Sequence, residues 1–199
     1  MKLKDNINIF AKSPIILIIY LLINLNYVYG QVIEVPIEVQ LPIIMKVLSL
    51  ERNLNAKAQT KGKINLGVVY QSKFRNSLLA KNYAELFFKE NSKLLNRDLI
   101  VTLISINDNY DVEQTLANTK FDVILLTPLR AVNIESIANL TERLKILTVS
   151  LIPDYTNSGI SVGIELIDDK PRIIINTTSS KLEGANFNSD LLKLSRIIN

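Results

Sequence analysis

An α/β domain built on a mainly parallel sheet is the fold class this chain predicts, and three observations predict it. Short apolar runs rich in β-branched residues alternate with segments of helical period from Lys63 to Ser150. Each run is separated from the next by enough residues for a crossover helix. A hairpin pattern follows, in which Asp168-Asp169-Lys170-Pro171 joins two runs of alternating or continuous isoleucine and valine. The expectation is a three-layer domain flanked by helices. Its sheet has about six strands, four from crossover units and two from an antiparallel hairpin at its end.

The elements follow in chain order. Met1 to Gly30 has the three parts of an export signal: Lys2, Lys4 and Lys12 in front, the apolar run from Pro14 to Ile23, then Val28-Tyr29-Gly30-Gln31. Cleavage is expected between Gly30 and Gln31. An uncleaved anchor in the inner membrane is the alternative, although Asn24 and Asn26 interrupt the run early for a membrane span. Residues 31–62 make an extended start, a helix from about Leu41 to Asn53 with Pro42 in its first turn, and a polar loop from Asn55. Residues 63–199 form the α/β core. Lys63 to Tyr70 is a strand covered on both faces. Ser72 caps a helix carrying Phe74, Leu78, Leu79, Tyr83, Leu86 and Phe87. Leu99 to Ile106 is the next strand, and Asp111 caps a short helix with Val112 and Leu116. Phe121 to Leu126 returns as a strand, Asn133 caps the helix through Ile137 and Leu140, and Lys145 to Ser150 is the fourth strand. The hairpin pairs Ile160–Leu166 with Arg172–Asn176, and a terminal helix runs through Leu191, Leu192, Leu194 and Arg196 to Ile198.

Composition excludes more than any motif adds. The chain of 199 residues has no histidine, cysteine or tryptophan. It therefore has no imidazole base, no thiolate nucleophile, no disulfide and no Cys-rich zinc site. The slight excess of Lys and Arg, 23 against 19 acids, forms no basic stripe interleaved with aromatics, so no nucleic-acid partner is expected. Asp98, Asp108 and Asp111 are the one carboxylate group that suggests a metal hydrolase. The reading preferred for Asp108-Asn109-Tyr110-Asp111 is a helix-capping turn.

In a parallel sheet, ligands bind outside the carboxyl ends of the strands. Gln71, Ser72, Asp108 and Arg130 stand at those ends and make the candidate ligand or anion site, weighed against ordinary helix-capping polar residues. Neither a Gly-x-Gly-x-x-Gly nor a Gly-Lys-Ser/Thr motif occurs there, and no cofactor is expected.

The order from Gly159 resembles the C-terminal signature of the YfiR-like family of bacterial periplasmic proteins. It reads glycine, apolar strand, acidic turn, strand ending in Ile175-Asn176, polar segment, then Leu191-Leu192-Lys193-Leu194-Ser195-Arg196-Ile197-Ile198. Weaker similarity extends back to Lys63, through Lys93–Ile100 and Phe121–Leu126. Gly159, Asn176, Leu191, Leu192, Leu194 and Arg196 match the signature, and a structural role is expected of them. The resemblance implies a non-enzymatic regulator that restrains a membrane-bound diguanylate cyclase, and so controls cyclic-di-GMP and biofilm. A sensor kinase as partner and a homodimer are compatible with it. The opening stretch Leu41–Leu50 lacks the aromatics and Trp-Pro of that family, and the cysteines that members often carry are missing. The alternative is a periplasmic small-ligand sensor or transport accessory that uses the strand-end crevice.

Overall fold

The computed structural model describes residues 33–107 and 109–199; the export segment, the Gly30–Gln31 junction and Asp108 lie outside the described residues. Two helices precede the sheet. The first, α1 (Ile37–Ser49), begins four residues before the expected start and ends four before the expected end. Pro42 is consequently inside it and not in its first turn, while Pro36 stands at the N-cap, where a missing N–H costs nothing. Gln40 anchors the first turn, its Nε2 donating to Val35 O (2.8 Å) and Leu151 O (3.2 Å). The second, α2 (Arg52–Lys61), occupies residues expected to be a polar loop. Among its described side chains Leu54 is the one buried apolar residue, so periodicity is silent about it. The buried Glu51 carboxylate starts the helix by accepting from the backbone N–H of Asn53 (3.0 Å) and of Leu54. Glutamate is not among the usual capping residues, which is why the signal went unread.

The strands and remaining helices are β1 (Lys63–Tyr70), α3 (Arg75–Glu90), β2 (Lys93–Leu94), β3 (Arg97–Ser105), α4 (Asn109–Asn118), β4 (Val123–Leu126), α5 (Ile134–Leu144), β5 (Leu147–Ser150), β6 (Val162–Ile167), β7 (Lys170–Asn176), α6 (Thr177–Leu182), α7 (Ser189–Leu194) and β8 (Arg196–Ile198). A 3₁₀ turn (Pro153–Ser158) joins β5 to β6. The sheet order is β2-β3-β1-β4-β5-β6-β7-β8. From β3 to β6 all neighbours are parallel; β6 and β7 form the antiparallel hairpin. The fold class is therefore the expected one, with two short edge strands, β2 and β8, added to the six.

Each face of the sheet carries its own core. Ile64, Leu66, Val68, Val123 and Leu125 pack with Leu41, Ile44 and Leu48 of α1 and with Ala80, Ala84 and Phe88 of α3. On the other face Val69, Ile104, Ile124 and Leu126 pack with Val112 and Leu116 of α4 and Ile137 of α5. Asn133 caps α5 as expected, its side chain accepting from Ser136 N at 3.1 Å. Two other expected caps are displaced. Ser72 lies in the exposed turn before α3, whose N-cap is Phe74 with no side-chain bond. α4 begins at Asn109, which puts Asp111 in its first turn, not at its cap.

The C-terminal segment departs furthest from expectation. α7 stops at Leu194, where the Ser195 hydroxyl bonds back to Leu191 O (2.7 Å) and the backbone turns extended. Arg196, Ile197 and Ile198 then pair in parallel with Ile174, Ile175 and Asn176 of β7. The segment expected to end in helix thus ends as an edge strand, because two β-branched isoleucines cover an otherwise open edge. Arg196 reaches across β7 and clamps Glu165 of β6 at both oxygens, at 2.6 and 2.9 Å.

Candidate functional site

Counting only the parallel run, the strand order is 2-1-3-4-5, and the chain reverses direction across the sheet between β1 and β4. In such sheets that reversal opens a crevice at the strand carboxyl ends. A cavity of about 200 Å³ lies there, lined by Gln71, Lys73, Phe74, Ile106, Asn107 and Arg130. Two of the expected site residues, Gln71 and Arg130, are therefore brought together. Ser72 is nearby in sequence but does not line the cavity, and Asp108 lies outside the described residues.

The chemistry of the crevice differs from an open anion site. Gln71 is buried and its amide is consumed by backbone: Oε1 accepts from Arg130 N (2.6 Å), and Nε2 donates to Arg130 O (2.9 Å) and Asn107 O (3.4 Å). Its own N–H donates to Ser77 Oγ (2.8 Å), which is linked to Thr127 Oγ1 (2.7 Å). Gln71 is a clamp that ties the loops after β1, β3 and β4. The Arg130 guanidinium lies 4.3 Å from the centre of the Phe74 ring, a cation–π arrangement that leaves its outer edge toward solvent. A larger cavity of about 380 Å³ lies between α4 and α5, away from the strand ends.

Asp98 and Asp111 lie on different elements. Asp98 is at the amino end of β3 and Asp111 is in the helix beyond its carboxyl end, so most of the strand separates them. Among the described residues no group of three or more acidic side chains is placed to hold a metal ion.

A second surface lies on α3, where helical period is clear in the sequence but does not say which face is buried. Leu78, Leu79, Tyr83 and Leu86 of α3 are 37 to 58% exposed. The buried face is Ser77, Ala80, Ala84 and Phe88. Leu79, Tyr83 and Leu86 recur at i, i+4 and i+7, so they form one stripe on the outward side. The Tyr83 hydroxyl bonds to the Glu38 carboxylate of α1, which holds its pKa above the ordinary phenol value.

One polar group was missed entirely. Glu183, just after α6, is buried among hydroxyls of three elements: Thr148 donates to it from Oγ1 (2.6 Å) and from its backbone N–H (2.9 Å), Ser161 donates from Oγ, and the Thr141 hydroxyl lies at 3.3 Å. Burial pushes its carboxyl up to about 7, against the hydroxyl bonds that lower it. Its neighbours come from distant segments, so no local motif announces it.

Most of the signature residues pack or hydrogen-bond within the fold. Gly159 has φ +94° at the end of the 3₁₀ turn, and a Cβ there would meet Ala138 Cβ at 2.9 Å. The Asn176 side chain caps α6 by accepting from Ser179 N (3.0 Å) and donates to Thr156 O (3.0 Å). Leu191 is buried, Leu192 packs partly against the core, and Leu194 is 74% exposed.

Among solved structures the chain is similar to a conserved domain protein from Vibrio cholerae, with a TM-score of 0.57 and 14% identity over 82% of this chain. It is similar as well to an ABC domain in complex with L-Trp from Streptococcus pneumoniae, with a TM-score of 0.57 and 13% identity over 77% of this chain. It spans 60% of the length of each of these two structures, and at such identities the likeness is one of fold. No curated protein matches the chain in sequence. The YfiR/HmsC-like family model matches residues 43–196, which include the crevice, the outward stripe of α3 and the C-terminal hairpin. The chain belongs to the YfiR/HmsC-like family.

Proposed function

We propose that this protein is a non-enzymatic regulator in the periplasm that restrains a membrane-bound signalling protein, a diguanylate cyclase, and thereby lowers cyclic-di-GMP output. Family membership supports the class of function. The outward stripe of Leu79, Tyr83 and Leu86 is the observation that carries the reading: the core does not use it, and a contiguous exposed apolar face suits a protein partner. The test is a pull-down from solubilised envelope with the wild type and with Leu79→Glu/Leu86→Glu. The wild type recovers an inner-membrane cyclase and the folded double variant does not. Recovery of no membrane signalling protein by the wild type would sink the proposal.

A second reading is a small-ligand sensor, favoured by the crevice with Arg130 over Phe74. The crevice is small against the roughly 300–1,000 Å³ of ordinary ligand pockets, so its occupant would be a compact anion. Thermal-shift screening of wild type and Arg130→Gln against small metabolites separates it from the first reading.

A further inference from the structure

At the amino ends of β4 and β5, opposite the crevice, a cavity of about 330 Å³ is lined by Lys57, Lys61, Lys120 and Lys145 around Asp122. Asp122 is buried, and its charge is already committed: one oxygen accepts from Lys61 Nζ (2.8 Å) and the other from Asn65 N (3.0 Å). Lys57 and Lys145 reach only backbone carbonyls, Lys145 O at 3.4 Å and Leu182 O at 2.6 Å. Among the described residues none of Lys57, Lys120 and Lys145 has a carboxylate partner. Three lysines without a carboxylate partner therefore line one cavity, and such an excess of positive charge favours the entry of an anion.

The backbone adds an independent observation. Lys145 is the C-cap of α5 with φ +57°, a left-handed conformation that glycine adopts without strain. The side chain at this position is a long cation, where glycine would fit the backbone without strain. Leu116, Leu144 and Ile146 contribute an apolar wall beside the ammonium groups. Lysine is a compact point charge that binds phosphate without the bidentate fork of arginine.

We infer that this cavity is a binding site for a phosphate monoester that carries a small apolar body. The phosphoryl group meets Lys57, Lys120 and Lys145, and the apolar body lies against the Leu144 side of the wall. A soluble ester and the headgroup of a phosphatidic acid share this chemistry. The site is separate from the crevice and from the outward face of α3, so it neither needs nor excludes a protein partner there.

The test uses the full chain with two probes, phenyl phosphate in calorimetric titration and co-sedimentation with phosphatidic acid vesicles. Three proteins are compared: wild type, Lys120→Gln/Lys145→Gly, and Lys170→Gln on the β7 hairpin as a control. Lys145→Gly relieves the left-handed position, so the double variant remains folded, as thermal melting would verify. Saturable phenyl phosphate binding that weakens about tenfold or more in the double variant, and not in the control, supports a soluble ester. Lysine-dependent vesicle binding without phenyl phosphate binding supports the same site with a lipid source. Binding of neither probe, or binding that the double variant leaves unchanged, overturns the inference.

Discussion

Glu183 shows how one residue can govern stability without taking part in recognition. Its carboxyl has an ordinary value of 4.5 and is pushed up to about 7 by burial. The folded protein thus holds this proton more tightly than the unfolded chain does. The stabilisation is fully present below about 4.5 and is lost as pH rises through about 7, amounting to on the order of 3 kcal/mol across that window. Glu183→Gln is neutral at every pH and removes this slope. Urea midpoints of wild type and variant between about pH 5 and 8 should therefore converge in acid and separate in base. Parallel curves would show that Glu183 does not titrate in this window. Gln71 makes the complementary point at the opposite end of the sheet. Its type suggested a ligand contact, yet its amide is spent on the backbone of Arg130 and Asn107. Residue type alone reports what a side chain can bond, and only its neighbours determine what it does bond.

At the scale of elements, α3 is the instructive case. Its alternation of Leu, Ala and aromatic residues supports a helix from sequence, but two faces compete to be the inner one. The chosen face is small, with Ala80 and Ala84 fully buried, because it lies close over the sheet beside α1. Enlarging it should be costly: Ala84→Leu is expected to destabilise by about 1–3 kcal/mol through overpacking. Leu86→Glu, on the outward stripe, should change stability by no more than about 0.5 kcal/mol. Chemical denaturation of the two variants checks the pair, and a reversed order would mean that the faces are assigned wrongly. The same competition explains α2, where the buried Glu51 carboxylate and one leucine suffice to hold a helix that hydrophobic period cannot reveal.

For the whole molecule, the sheet order brings the loops after β1 and β4 together and closes the far edge with the chain's own end. β8 covers β7 from Ile174 to Asn176, and the Arg196–Glu165 pair spans the edge. Arg196 is 39% exposed, so the pair itself contributes at most about 1 kcal/mol. Truncation after Leu194 removes the pair, the ladder and two isoleucines, and is expected to cost about 1–3 kcal/mol. It also leaves β7 as an open edge, so the truncated protein should associate with itself. Denaturant titration and light scattering check both parts; an equally stable, monomeric truncation would contradict this account of β8.

The class of fold, most strand positions, the hairpin and the family signature were legible in the chain, because alternating apolar runs, turn residues and crossover lengths are local properties. Asn133 shows how far this extends, since capping chemistry is written within four residues. The outward stripe of α3, the strand at Arg196–Ile198, the Gln71 clamp, the Glu183 cage and the ring of lysines around Asp122 were decided by tertiary structure. Each depends on partners far away in sequence: Thr148 for Glu183, Arg130 for Gln71, Lys61 for Asp122 and β7 for the terminal isoleucines. Periodicity shows that a helix has two faces or that a segment is apolar. Which face is buried, and which edge a segment covers, follows from the free energy of packing the whole chain.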